Sequence, residues 1–419
     1  MSQAATRLRL ALLIAVGCAS ASAAAPPGHT LASWPYRTLQ LGITSSPTQA
    51  GAQRRQAPFD FRYQYLSAGV NTGHSWQSWG TNFVSSYIAS SEAVHEVPVF
   101  SYYELRQSEP GSGQGQDSVA DLVNLRDRGT MLAYYQNLRA FFRQATLARG
   151  PVVLHVEPDL WGFIEQASKG NRAASVAASV SSSGMPGLEG LPNNASGFAR
   201  AILLLRNTYA PRVILAYADS IWGTDVDIHL NHPSSAEVAT MAAKSVAFYE
   251  SLHARFDALF TEISDRDAGY AQVVNGAGRS AWWHAADFRR LGQYIAAVHR
   301  VLQLPITIWQ IPVGNTLFRV QNNTPYHYQD NRVQSLLGSD RTARALLRSY
   351  AKAGVAALLF GGGQATDTCA CQTGTGHPPE PGPIDGNTRR SLNGEDDGGY
   401  FMAQAARFYR LGPIPFARR

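Results

Sequence analysis

Carboxylates recur just after short apolar runs in this chain, and two of them stand where proton transfer is easily arranged. The run from Val152 ends in His155-Val156-Glu157-Pro158-Asp159-Leu160-Trp161-Gly162. Alternation sends Val152, Leu154 and Val156 to one face and His155 and Glu157 to the other. Pro158 cannot donate a ladder hydrogen bond, so it ends the strand. A carboxyl at that break, beside Trp161, is expected to be desolvated. Desolvation holds its proton to higher pH, which suits a general acid. A structural glutamate paired with an arginine is the plainer use of such a position. Glu262 lies in Phe260-Thr261-Glu262-Ile263-Ser264-Asp265-Arg266-Asp267, where polar neighbours favour the ionised form of a nucleophile or base. Asp219 and Asp265 are its rivals, although Asp265 also suits a turn cap or a pair with Arg266.

Another set is suited to binding. Aromatic faces stack on the apolar faces of sugar rings, while amides and carboxylates take hydroxyls. His74, Trp76, Tyr103, Asp159, Trp161 and Tyr217 are candidates, followed by Trp222, Trp309, Gln310, Asn315 and His327. Core packing is the plainer reading for several of the aromatics. Metal chemistry would draw on His155, Asp159, His229, His232 and His327. No His-x-His follows the first strand, so no metal site is expected. Cys369 and Cys371 are expected to close a disulfide that staples a loop in an oxidising compartment; zinc would need a matching pair that the chain lacks.

Positioning these residues requires strands that end together. Short apolar runs predict strands at 38–44, 63–70, 97–103, 152–157, 213–219, 258–263, 305–310 and 354–360. Helical periodicity is clearest at 127–148, 196–208, 235–256, 285–303, 340–352 and 399–410. Eight strand-then-helix units predict an α/β fold, a single (β/α)8 TIM-type barrel with long βα loops. An open doubly wound sheet is the alternative, but no G-x-G-x-x-G follows the first strand. The Gly-, Ser- and Gln-rich segment 106–118, the Ser-, Ala- and Gly-rich segment 167–195 and the Gly-, Pro- and Thr-rich segment 361–398 each follow a strand, so they belong to the C-terminal face.

The 419 residues carry 45% hydrophobic and 16% charged side chains, enough apolar content for a large core and too little charge for a coiled coil. Mean hydropathy of −0.18 argues against a polytopic membrane protein. The net charge of +6, from 36 basic against 30 acidic residues, is too scattered for nucleic acid. Arg7 and Arg9, a short apolar run and Ala21-Ser22-Ala23 predict a signal peptide over 1–23. A lipid anchor at Cys18 is the alternative. Either way the protein is expected to be secreted or periplasmic, without a membrane span and as a monomer. An N-terminal extension over 24–37, the barrel over 38–410 and a tail over 411–419 complete the expected organisation.

The layout resembles the secreted barrel glycoside hydrolases over most of the mature chain. Val156-Glu157-Pro158 after the fourth strand is similar to the Asn-Glu-Pro that carries the acid/base in their largest clan. The clan's Asn is Val156 here, and Gln310 stands near the place of the clan's nucleophilic Glu. The resemblance therefore implies one role, Glu157 as acid/base. The expectation is a hydrolase of O-glycosidic bonds in a polysaccharide or oligosaccharide, using two carboxylates and no cofactor. A non-catalytic carbohydrate-binding barrel and a metal-dependent hydrolase or deacetylase are the alternatives, since fold alone does not choose.

Overall fold

The computed structural model describes residues 33–263, 268, 271, 280, 282–316, 330–361 and 399–417. The expected signal peptide, Cys18, Asp265, His327, Cys369 and Cys371 lie outside the described residues.

Eight parallel strands close a barrel in chain order. They are β1 (Gln40–Thr44), β2 (Phe61–Ser67), β3 (Val97–Tyr103), β4 (Val153–Val156), β5 (Ile214–Asp219), β6 (Ala258–Glu262), β7 (Ile306–Ile311) and β8 (Val355–Phe360). Closure is direct: β1 pairs with β2 on one side and with β8 on the other. An open sheet is thereby excluded. The expected strands are present, with one clear shift. β2 stops at Ser67 and does not reach Val70, because Ala68 and Gly69 take φ of 87° and 83°. A strand cannot continue through two such residues.

Helices run between the strands. The first half has α1 (Ala50–Gln56), α2 (Phe83–Glu92), α3 (Asp117–Arg126), α4 (Arg128–Ala145), α5 (Leu160–Ala167) and α6 (Ala195–Tyr209). The second has α7 (Ser235–Ser251), α8 (Ala285–Leu302), α9 (Arg332–Leu337), α10 (Arg341–Lys352) and α11 (Tyr400–Arg410). Local chemistry sets several starts. Asp127 accepts from the Thr130 N–H at 2.7 Å and opens α4. Ser234 and Glu237 form a reciprocal capping box on α7.

The barrel interior is packed. His155 from β4 stacks on Phe260 from β6 at 4.6 Å and meets Trp309 from β7 edge-on at 4.7 Å. Contacts between strands that are not neighbours can form only inside, so His155 points inward as its alternation requires. The flanking segments join the barrel too. Trp34 packs on Phe61 at 5.3 Å, and Thr38 bridges Pro415. Among the described residues no helix is long and apolar enough to cross a membrane.

Candidate active site

The C-terminal strand ends open into a cavity of about 710 Å³. Tyr65, Trp309 and Gln310 line one side of it, with the Tyr65 and Trp309 rings 5.7 Å apart. Trp309 rests on His155, so the interior layer beneath supports this part of the pocket. The β3 and β4 ends contribute Tyr103 and Asp159, and the β5 and β6 ends contribute Trp222 and Glu262.

Beyond β4 the chain turns abruptly. Glu157 adopts φ 48°, which breaks the strand alternation. Its side chain is fully buried and accepts from the backbone N–H groups of Glu104 and Leu105 at 3.2 and 3.3 Å. It does not line the cavity. The expectation of an inward Glu157 at the mouth is corrected here, and the positive φ is the cause. Burial, reinforced by the charge of Asp121, pushes its carboxyl well above the ordinary range and so favours the neutral form.

Asp159, two residues on, takes the place in the cavity. It has φ 70° and ψ −43°, and the Leu160 N–H reaches back to the Pro158 carbonyl at 2.9 Å. This is a γ-turn with positive φ, a rare geometry that costs about 1–3 kcal/mol outside glycine. Asp159 occupies the N-cap position of α5, yet its side chain makes no capping hydrogen bond. An aspartate in that position ordinarily caps. Here its Oδ2 meets the Tyr103 hydroxyl at 3.3 Å instead.

Glu262 is half-buried at the end of β6, and its Oε1 accepts the Trp222 indole N–H at 2.6 Å. An indole can only donate, so the bond favours the ionised carboxylate. The Tyr103 hydroxyl, by contrast, can donate or accept, and therefore tolerates either state of Asp159. The charges around the cavity are partly paired: Arg106 bridges Asp117, and Arg332 bridges Asp330.

The other expected residues divide. Trp222, Trp309, Gln310, Tyr103 and Asp159 line the cavity, as does Glu262. Trp161 and Tyr217 do not; they pack on each other at 5.2 Å and on Phe256, between the sheet and its helices. Trp76 is fully buried and donates to Asn137 at 2.7 Å. His74 is exposed outside the cavity, and Asn315 is buried away from its lining. Asp219 also stands outside the lining. It accepts from the Tyr294 hydroxyl at 3.0 Å, and burial pushes it up to about 7. Trp76 and Trp161 follow strand ends and Tyr217 and Asp219 belong to β5 itself, but all four face the helical layer.

Tyr65, Arg106, Asp117 and Phe163 line the cavity without having been singled out. Tyr65 was reachable from the alternation of β2. Asp117 opens α3, within the stretch 106–118 whose composition predicts a loop. Asp227, His229, Trp283 and Arg332 complete another wall. His229 stacks on Trp283 at 5.3 Å, while His229 and His232 both approach Asp287, at 3.6 and 3.4 Å. His155 lies beneath Trp309. Among the described residues, no three His, Cys, Asp or Glu side chains gather as metal ligands.

Fold and site thus define a (β/α)8 barrel with a carboxylate-bearing, aromatic-walled cavity at its C-terminal mouth. No family model matches the sequence, and no curated protein matches it. Solved structures of similar layout include the catalytic domain of a GH26 endo-β-1,4-mannanase from Bacillus sp. JAMB-750. It is 11% identical, with 89% of this chain and 86% of that chain covered and a TM-score of 0.45. A GH26 β-mannanase from Bacteroides ovatus is 12% identical, with 89% of each chain covered and a TM-score of 0.45. A D-allulose 3-epimerase from Methylomonas sp. is 10% identical, with 90% and 98% covered and a TM-score of 0.39. Likeness at this level is one of barrel layout and says nothing about which residues act.

Proposed function

We propose that this protein is a glycoside hydrolase that cleaves O-glycosidic bonds with Asp159 as general acid and Glu262 as nucleophile or base. The observation that carries the reading is Asp159: a strained turn presents it to the cavity, and it forgoes its capping bond. Asp159 protonates the leaving glycosidic oxygen. Glu262, held ionised by Trp222, attacks the anomeric carbon or takes a proton from the attacking water. A carboxyl separation of about 5–5.5 Å in the substrate complex gives retention, and about 6.5–9.5 Å gives inversion. Tyr65, Trp222 and Trp309 offer ring faces to the sugar, and the Gln310 amide offers hydrogen bonds. The reaction requires no cofactor. Action outside the cytoplasm, expected from residues 7–23, belongs to the same proposal.

The test is reducing-end release on a panel of polysaccharides and oligosaccharides. Wild type cleaves at least one, and Asp159→Asn and Glu262→Gln each lower kcat by about 100-fold or more. Both variants still bind the glycan, since each change is nearly isosteric. A second reading has one observation in its favour: Gln310, held at φ 55° in the cavity, cannot ionise. Binding without cleavage by wild type would establish that non-catalytic barrel instead.

A further inference from the structure

Trp222 is a ring face of the cavity, but its surroundings assign it a second task. Four contacts with α5 and with Glu262 fix its position. Its indole N–H meets Glu262 at 2.6 Å, and its ring lies 4.9 Å from Phe163. Its carbonyl accepts from Gln166 at 3.3 Å. The far edge of the ring lies directly over Gly162: a Cβ there would stand 2.8 Å from Trp222 Cη2 and 2.8 Å from Ser220 Cβ. The seam is glycine on both sides, since a Cβ on Gly223 would come within 3.0 Å of the Gly162 Cα. Gly162, Phe163 and Gln166 all belong to α5, the helix whose N-cap is Asp159.

We infer that Trp222 is a positioning residue, clamped by α5 through a Gly162–Gly223 seam, which orients Glu262 and keeps it ionised opposite Asp159. One short helix then sets both carboxylates, Asp159 through its first turn and Glu262 through the indole. The seam accounts for both glycines: a side chain at 162 must push away the indole or the Ser220 Cβ, and one at 223 must push away the Glu165 carboxylate or the Gly162 backbone. The indole is the part that can rotate, and rotation withdraws the N–H from Glu262.

The inference rests on the hydrolase reading for its kinetic arm, and a spectroscopic arm stands apart from it. Trp222→Phe keeps a ring and removes the N–H. Removing a donor from the ionised form raises the pKa of Glu262. The acidic limb of kcat/KM therefore moves up by about one pH unit, and kcat/KM falls about tenfold or more. Gly162 does not itself line the cavity and Gly162→Ala improves intrinsic helix propensity, yet through its clash with the Trp222 ring it reproduces the same limb shift. The double variant is no worse than either single one, because both remove the same bond. Gly190→Ala, at an exposed glycine with nothing within 4 Å of the added Cβ, leaves every readout unchanged.

In parallel, the Trp222 indole resonance, assigned by its loss in Trp222→Phe, is followed by 15N NMR across pH. It lies downfield and titrates with Glu262 in wild type, stops titrating in Glu262→Gln, and moves upfield in Gly162→Ala. Wild-type kinetics and an unmoved indole in Gly162→Ala would overturn the inference, as would an unshifted acidic limb in Trp222→Phe. A wild type that cleaves nothing but shows the titrating, Gly162-sensitive indole would remove the hydrolase reading and uphold the positioning contact.

Discussion

Glu157 and Asp159 are two residues apart, and on a regular strand they would share a face. Backbone φ of 48° and 70° separates them instead, one to the interior and one to the cavity. Their consequences differ accordingly. Glu157, its carboxyl pushed up by burial, serves two backbone N–H groups, a task that a glutamine carbonyl also performs. Glu157→Gln should therefore keep kcat within about threefold of wild type, far from the ~100-fold loss of a displaced acid. Steady-state kinetics on the cleaved glycan measures this. The sequence of β4 points to a carboxylate at this strand end, and one is present. Which carboxylate depends on left-handed backbone at Glu157 and Asp159, and no side-chain pattern encodes that. Glu262 follows a regular strand, and its place at the mouth was legible from alternation alone.

At the scale of elements, β5 through β8 and most long helices were legible within about a residue or two, whereas α4 and α7 stop at Ala145 and Ser251, short of the expected 148 and 256. Each is apolar enough on one face to declare its period. α1, α2, α3, α5 and α9 were not. They are short, and α3 begins within the polar stretch 106–118, read as loop, because it buries Asp121 and Asn124 as well as Ala120 and Leu125. The aromatics of the helical layer were misassigned for a related reason: position after a strand end does not reveal which layer a ring faces. Burial also ties elements together. Arg206 on α6 donates to Asp257 at 2.6 Å with both side chains fully buried, and Asp257 also accepts the Leu215 N–H at 2.8 Å. Asp257→Ala removes the buried carboxylate that faces the guanidinium and should cost about 3–5 kcal/mol of stability by denaturant unfolding. The cavity lies at the other end of the barrel, so the folded fraction should keep wild-type kcat.

The whole molecule carries buried carboxyls that resist ionisation. Burial raises Glu104 and Glu165 to about 8 and Asp219 to about 7. A folded pKa above the unfolded one means the native state holds protons that the unfolded chain has already released. Stability then falls as pH rises toward 8. The buried imidazoles His155 and His229 are shifted down, and they act oppositely, but only below and around their ordinary value of 6.5. Between pH 7 and 8.5 the carboxyls prevail. Tm by scanning calorimetry should decline across that window, and a rising Tm would show that these groups are not buried as neutral acids. The barrel as a whole was legible because eight strand-then-helix units leave few ways to close. The chemistry at its mouth is tested most directly by leaving-group dependence, using aryl glycosides of the sugar that wild type cleaves. A missing general acid matters little when the leaving group needs no proton. Asp159→Asn should thus lose about 100-fold or more on the natural glycan yet come within about tenfold of wild type on a dinitrophenyl glycoside, while Glu262→Gln stays slow on both. Equal losses for Asp159→Asn on the two substrates, or this selective recovery in Glu157→Gln, would contradict the assignment.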